Sequence, residues 1–180
     1  MSINAMLAKI GTSDAMEPFT DMQQLVDGFD FKKFGRAPAQ FEQEELEKLN
    51  EKLLHQLPYD QAKDKLDDSV DETFWNSVRG NIKTFADVKM WHDVICQPVN
   101  AEISEEDKAY LVQAAELLPP EPWDEATWDA WIAQVKDATG RKGKQLFMPL
   151  RLSLTGMQHG PELKVLLPLL GRTKTLERLA

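Results

Sequence analysis

Asp124-Glu125-Ala126-Thr127-Trp128-Asp129-Ala130-Trp131-Ile132-Ala133-Gln134-Val135-Lys136-Asp137-Ala138-Thr139-Gly140 reads as one complete helix, with its start, its buried face and its stop all in view. Asp124 is an N-cap residue, able to accept from the free amides of the first turn. Trp128, Trp131, Ile132 and Val135 recur at the i, i+3, i+4, i+7 spacing that places them on one side of an α-helix. Gly140 is the stop, because glycine adopts the left-handed conformation that commonly closes a helix. The same grammar holds outward in both directions. Upstream, Ser104-x-x-Asp107 is a capping box leading into Leu111, Ala114, Ala115 and Leu118 before Pro119-Pro120. Thr84-x-x-Asp87 precedes Val88, Trp91 and Ile95, Asp71 heads a short helix with Phe74, Trp75 and Val78, and Thr20-x-x-Gln23 precedes Met22, Leu25 and Val26 with Gly28 as its stop. Glu42 to Leu57 carries the stripe Leu46, Leu49, Leu53, Leu57 and ends at Pro58. Extended alternating segments are nearly lacking. The expected class is all-α: short helices in two or three subdomains, divided as 1–60, 61–103 and 104–180, with Pro58 to Val70 as a joint.

Downstream of Gly140 the chain becomes leucine-rich, with Pro149 and Pro168 inside helical runs. Each removes one intrahelical hydrogen bond and is expected to bend or divide its helix. Gly160-Pro161 reads as a fresh helix start with Pro161 at the first helical position. Leu163, Leu166, Leu167 and Leu170 form the next stripe, and Gly171 ends it.

The 180 residues, 42% hydrophobic and 28% charged, suit a folded protein that buries roughly 70% of its unfolded surface. The single cysteine, Cys96, excludes an internal disulfide and reads as a buried or half-buried small hydrophobe; His55, His92 and His159 are far apart, so no metal site is expected. No apolar run reaches the length of a membrane span, and the cytoplasm is the default location. The net charge of −9 is unevenly spread: residues 141–180 hold eight basic and two acidic side chains, a net +6, which leaves −15 for the rest. An acidic body with a basic C-terminal module can bind polyanions locally.

Catalytic chemistry is not visible. The Gly140-Arg141-Lys142-Gly143-Lys144 turn resembles a phosphate-binding loop only superficially, since a Walker motif would need Gly where Ala138 stands and Ser or Thr where Gln145 stands. It nonetheless brings Arg141, Lys142 and Lys144 together ahead of a helix, which suits an RNA phosphate. Carboxylates cluster at helix N-termini, where the macrodipole favours them. Trp75, Trp91, Trp128 and Trp131 sit at apolar helical positions and are expected in the core, whereas Trp123 is less constrained.

Gly140-Arg141-Lys142-Gly143-Lys144-Gln145-Leu146-Phe147-Met148-Pro149-Leu150-Arg151, followed by Leu154-Thr155-Gly156 and His159-Gly160-Pro161-Glu162-Leu163, closely resembles the anticodon-binding module of bacterial glutamyl-tRNA synthetases. Asn4 to Gly11, Phe29-Asp30-Phe31 and Arg36-Ala37-Pro38-Ala39-Gln40-Phe41 are similar to the helical stem-contact region that follows the active site in that family. The resemblance covers the chain from about Ile3 to its end. It implies a helical cage around an anticodon loop, with Arg151, Gly160, Pro161 and Leu163 beside the first anticodon base and Met148 as a neighbour. Gly160 and Pro161 would offer backbone groups and a small profile to a flipped base. Discrimination at the third anticodon base, where glutamate and glutamine tRNAs differ, is placed by the resemblance in the preceding subdomain, with Arg79 a candidate. The His-x-Gly-His-like and Lys-x-Ser-Lys-like ATP motifs of the family do not occur here. The expectation is therefore a fragment without catalytic residues, metal or cofactor of its own; ATP and Mg²⁺ would belong to a parent catalytic domain. Its expected partner is glutamate tRNA, extended to glutamine tRNA in members with relaxed reading, and it is expected to be monomeric. The alternative is an acidic helical protein-interaction module with an incidental basic tail.

Overall fold

The computed structural model describes residues 1–180, with the side chain at position 125 set aside. It is helical from end to end, and its sole strand-like feature among the described residues is an isolated antiparallel bridge between Thr12 and Phe34. The chain divides into two compact units, Met1–Val88 and Lys89–Ala180.

The first unit contains α1 (Ser2–Lys9), α2 (Met22–Asp27), α3 (Gln43–Gln56), α4 (Tyr59–Ala62) and α5 (Glu72–Val78), with single 3-10 turns at Phe31–Lys33, Lys63–Lys65 and Arg79–Asn81. Ala5, Met6, Leu25 and Leu49 make one apolar cluster, with Leu46 packed against it. Trp75 is wholly buried, and its indole N–H donates to the Leu57 carbonyl at 3.0 Å, which satisfies the ring's polar atom inside the core. Asp71 caps α5 by accepting from the Phe74 amide at 2.7 Å. The α2 cap is Asp21, not Thr20: its carboxylate accepts from the Gln23 amide, a stronger acceptor one residue nearer the turn. The stretch from Pro58 to Val70, expected as a joint, is folded into this unit. Ala62 and Val70 are buried and the Tyr59 hydroxyl donates to the Val70 carbonyl, so few but well-placed apolar groups suffice to hold a polar segment.

The division between units falls within α6 (Ala86–Cys96), whose residues from Lys89 onward belong to the second unit. That unit continues with α7 (Glu105–Glu116), α8 (Glu125–Thr139), α9 (Lys144–Thr155) and α10 (Leu163–Leu179). α10 packs against α7, α8 and α9, which makes the C-terminal module a helical cage. Trp91, Trp128 and Trp131 lie in the core with the leucines of α9 and α10, as their spacing implies. Asp124 and Thr127 form a full capping box on α8, and Gly140 closes that helix at φ 68°.

Neither proline divides its helix. α9 runs through Pro149 and α10 through Pro168, and the break in α10 falls at Gly171 (φ 71°, ψ 165°). Pro149 does deprive the Gln145 carbonyl of its usual amide donor, but the Arg141 guanidinium donates to that carbonyl instead, at 3.3 Å. The half of α10 after Gly171 has its own cap, the Glu121 carboxylate accepting from the Arg172 amide at 2.8 Å. Pro161 precedes α10 without entering it, since the helix starts at Leu163 with Glu162 as its N-cap. Cys96 also departs from expectation, being exposed, with the His92 Nε2 3.6 Å from its sulfur.

Candidate nucleic-acid interface

The site expected around Arg151 assembles from α9 and the turn ahead of α10. Arg151 lies one turn before the end of α9, and its Nη2 donates to the Pro161 carbonyl at 2.9 Å. Its Nη1 is buried and makes no hydrogen bond among the described residues. An unmade bond at a buried charged donor is costly. Burial also pushes the guanidinium below its ordinary pKa, an effect partly offset by the negative charge of Glu162. Trp91 Nε1 and Arg172 Nε are likewise buried without a partner among the described residues.

Arg151 lines a pocket of about 270 Å³ together with Trp128, Asp129, Phe147, Glu162, Leu163 and Lys164. Leu163 lines the same pocket, whereas Pro161 meets Arg151 only through its carbonyl, and Pro161 and Leu163 are both buried. Gly160 serves a different purpose from the one expected of its small profile. Its φ is 144°, and a Cβ built there would lie 2.0 Å from the Trp91 ring, so the space it leaves open is already filled by that indole. Gly160 therefore sets the course of the turn that presents the Pro161 carbonyl to Arg151. Met148 is half-buried on α9 and does not line this pocket.

The basic turn separates its three cations. Gly143 adopts φ 53°, ψ −129° as the N-cap of α9, and a Cβ added to it would meet nothing within 4 Å, so glycine is needed there for backbone conformation alone. Lys142 and Lys144 project exposed from the turn. Arg141 does not, contrary to its expected role at a phosphate: its side chain is 15% exposed and pairs with Glu106 at 3.2 Å and Asp107 at 2.5 Å. Its guanidinium also stands 4.3 Å from the centre of the Tyr110 ring. The Arg141 hydrogen bond holds the Asp107 carboxyl below its ordinary pKa, while burial pushes the Tyr110 hydroxyl up to about 12. Much of the remaining C-terminal positive charge is similarly engaged. Arg178 donates to the carbonyls of Leu154, Ile95 and Gln97, at the C-terminal ends of α9 and α6, where the helix dipoles favour a cation. Lys174 reaches the Ile95 carbonyl at 3.4 Å. Arg79, in the first unit, donates to the Leu57 carbonyl at 3.1 Å.

The structure adds Phe147, Trp128 and Glu162, which sequence reasoning did not select. Phe147 is 43% exposed and lines both the Arg151 pocket and a neighbouring one of about 410 Å³ that includes Lys136, Lys142 and Gly143. A signal for it exists in the spacing: Lys144, Phe147 and Arg151 stand at i, i+3, i+7 on one face of α9, away from the leucines.

An anticodon binding domain family model matches residues 46–180. Glutamate–tRNA ligase 1 of Maricaulis maris is 50% identical over 183 residues, covering 100% of this chain and 41% of that protein. Glutamate–tRNA ligase 1 of Rhizorhabdus wittichii is 45% identical over 179 residues, covering 99% of this chain and 40% of that protein. The chain thus spans about two fifths of the length of these curated relatives. Among solved structures, a glutamate tRNA ligase from Elizabethkingia meningosepticum in complex with its amino acid has the same fold over 99% of this chain and 39% of its own, with a TM-score of 0.76 at 19% identity. With its C-terminal helical cage and three quarters of its length matched by one family model, the chain belongs to the anticodon-binding domain family.

Proposed function

We propose that this chain reads the anticodon of a glutamate tRNA and positions that RNA for glutamylation by the catalytic domain of a parent glutamate–tRNA ligase. The observation that carries the reading is Arg151, which lines a pocket and whose guanidinium is held by the Pro161 carbonyl through Nη2 while Nη1 is buried without a partner among the described residues. A planar donor held this way suits the acceptor edge of an unstacked base. Leu163 lines that pocket, Gly160 and Pro161 set the turn that holds Arg151, Met148 is a further candidate on α9, and the exposed Lys142 and Lys144 hold the adjoining phosphates. Arg79 is a further contact candidate toward the third anticodon base. ATP and Mg²⁺ belong to the parent's catalytic domain in this reading, and this chain contributes recognition only. Glutamine tRNA is the natural second ligand to try, and the chain acts as a monomer in the cytoplasm.

Titration of the chain with glutamate tRNA and with a non-cognate tRNA at two salt concentrations tests the proposal. Cognate RNA should bind more tightly, and affinity should fall with salt, by roughly 0.7–0.9 in log–log slope for each phosphate contact. Arg151→Ala should weaken cognate binding more than Lys174→Ala, because Lys174 is turned to a helix-end carbonyl. Equal, salt-insensitive binding of both RNAs would instead favour a protein-docking role for the acidic helical body.

A further inference from the structure

We propose that Trp91 is a positioning residue for Arg151: by seating the turn between α9 and α10, it fixes where the Pro161 carbonyl holds the guanidinium. Its consequence for RNA binding rests on the anticodon-reading role proposed above. From Gln158 to Gly160 that turn makes no backbone hydrogen bond among the described residues, so side-chain packing decides its course. The packing comes from one stretch of chain. The far edge of the Trp91 indole, formed by Cη2, Cζ2 and Cζ3, lies 2.9 Å or less from where a Cβ on Gly160 would stand. Val99 meets the other end of the turn, its Cγ1 3.0 Å from the Cβ position of Gly156. Arg178 donates to the Ile95 and Gln97 carbonyls and to that of Leu154, which ties the segment between Trp91 and Val99 to the end of α9.

The bonding of the indole shows what it supplies. Trp75, Trp123 and Trp131 each donate their N–H to a carbonyl, of Leu57, Pro119 and Ala114 respectively. Trp91 is 3% exposed and its Nε1 has no partner among the described residues, which is a cost to folding. A phenylalanine would avoid that cost, but it lacks the outer edge of the six-membered ring, the part that reaches Gly160. Length and shape are therefore what this side chain contributes. Without that edge the turn is free to settle toward α6 into the space left behind. Pro161 follows Gly160 directly, and its fixed φ carries any shift of the preceding peptide to its own carbonyl. That carbonyl accepts from Arg151 Nη2 at 2.9 Å, so the guanidinium loses its anchor or follows it.

Two measurements on the full chain test this. Without RNA, NMR of the arginine side chains reads how firmly the Arg151 guanidinium is held, and Arg151→Lys identifies its signal. Trp91→Phe should speed hydrogen exchange of the Arg151 guanidinium protons about 3- to 10-fold, and Val99→Ala, a milder change at the other end of the turn, about 2-fold. Val135→Ala truncates a fully buried side chain elsewhere in the same unit; it should lower the unfolding midpoint while leaving that exchange unchanged. Affinity for an anticodon stem-loop of glutamate tRNA should fall about 3- to 10-fold in Trp91→Phe, with the salt slope held. In an Arg151→Ala background the same change should cost less than about 2-fold, because Trp91 acts through that side chain. Unaltered Arg151 exchange in Trp91→Phe, or equal binding losses with and without Arg151, overturns the positioning role while anticodon reading stands. Failure of the wild-type chain to bind the stem-loop overturns anticodon reading, and the exchange measured without RNA still decides whether Trp91 holds Arg151 in place.

Discussion

Arg141, in the turn ahead of α9, and Arg151, within α9, are ten residues apart and both half-exposed at most, yet their guanidinium groups are used in opposite ways. Arg141 is saturated: it donates to the Asp107 and Glu106 carboxylates and to the Glu106 and Gln145 carbonyls, and it lies over Tyr110. Its charge holds α7 to the start of α9 and repairs the carbonyl that Pro149 leaves without a donor. Arg151 has its protein partner on Nη2, and its buried Nη1 has none among the described residues. A cation whose bonds are all internal contributes to the fold, so net charge by segment overstates the positive surface of the C-terminal module, and bond completeness separates Arg141 from Arg151 where charge alone does not.

The largest expected effect is on the structural side. Arg141→Ala should lower unfolding free energy by about 2–4 kcal/mol, since it strands partly buried carboxylate and carbonyl groups. Arg151→Ala should cost about 1 kcal/mol or less in stability, because only one hydrogen bond to the protein is lost. Urea denaturation of the two variants measures the contrast, and equal losses would collapse it. Next in size, Gly160→Ala should destabilise by about 1–3 kcal/mol through overpacking against Trp91, and should weaken RNA binding as the turn carrying Pro161 shifts. Combining it with Trp91→Phe, which removes the ring atoms in the clash, should recover part of that stability; no recovery would mean that the left-handed backbone strain dominates. On the recognition side, Arg151→Lys keeps the charge but loses the planar fork. It should reduce affinity for the anticodon stem-loop about tenfold, equivalent to about 1.4 kcal/mol, with the salt slope held. A Lys variant that binds as wild type would make Arg151 a simple phosphate contact.

The smallest effect concerns acid. Asp107 is held below its ordinary pKa in the folded chain, mainly by Arg141, so its ionised form favours folding. That contribution is fully present above the unfolded carboxylate value of about 3.9 and is lost as pH falls through the lower folded value. Asp107→Asn should flatten this part of the stability profile below about pH 4, and thermal melts across that range will show it. An unchanged acid profile would mean that Arg141 draws its stabilisation from Glu106, Tyr110 and the carbonyls.

The helical class was legible because its signals are local. Asp71, Asp124 and Gly140 act within one helical turn of themselves, and the spacing of Trp128, Trp131, Ile132 and Val135 is enough to assign a buried face. Local competition explains the small misses: Asp21 displaced Thr20 as a cap because a carboxylate is the better acceptor, and Pro168 does not divide α10, whose break falls at Gly171, the stop that its sequence marked. The candidate residues Arg151, Pro161 and Leu163 could be named from their motif, since they lie within one short stretch of chain.

What sequence order could not supply was the fate of each polar group. Whether Arg141 meets solvent or Glu106 and Asp107 depends on α7 lying against α9, across more than thirty residues of chain. Whether Gly160 leaves room for a base or for Trp91 depends on where α6 passes. By itself the sequence determined the helices, their faces and the motif of the anticodon-binding module, because hydrogen bonding and periodicity act over a turn or two. Tertiary structure decided which cations were consumed and which donor remained open, because satisfaction of a charge is settled by whichever distant segment reaches it.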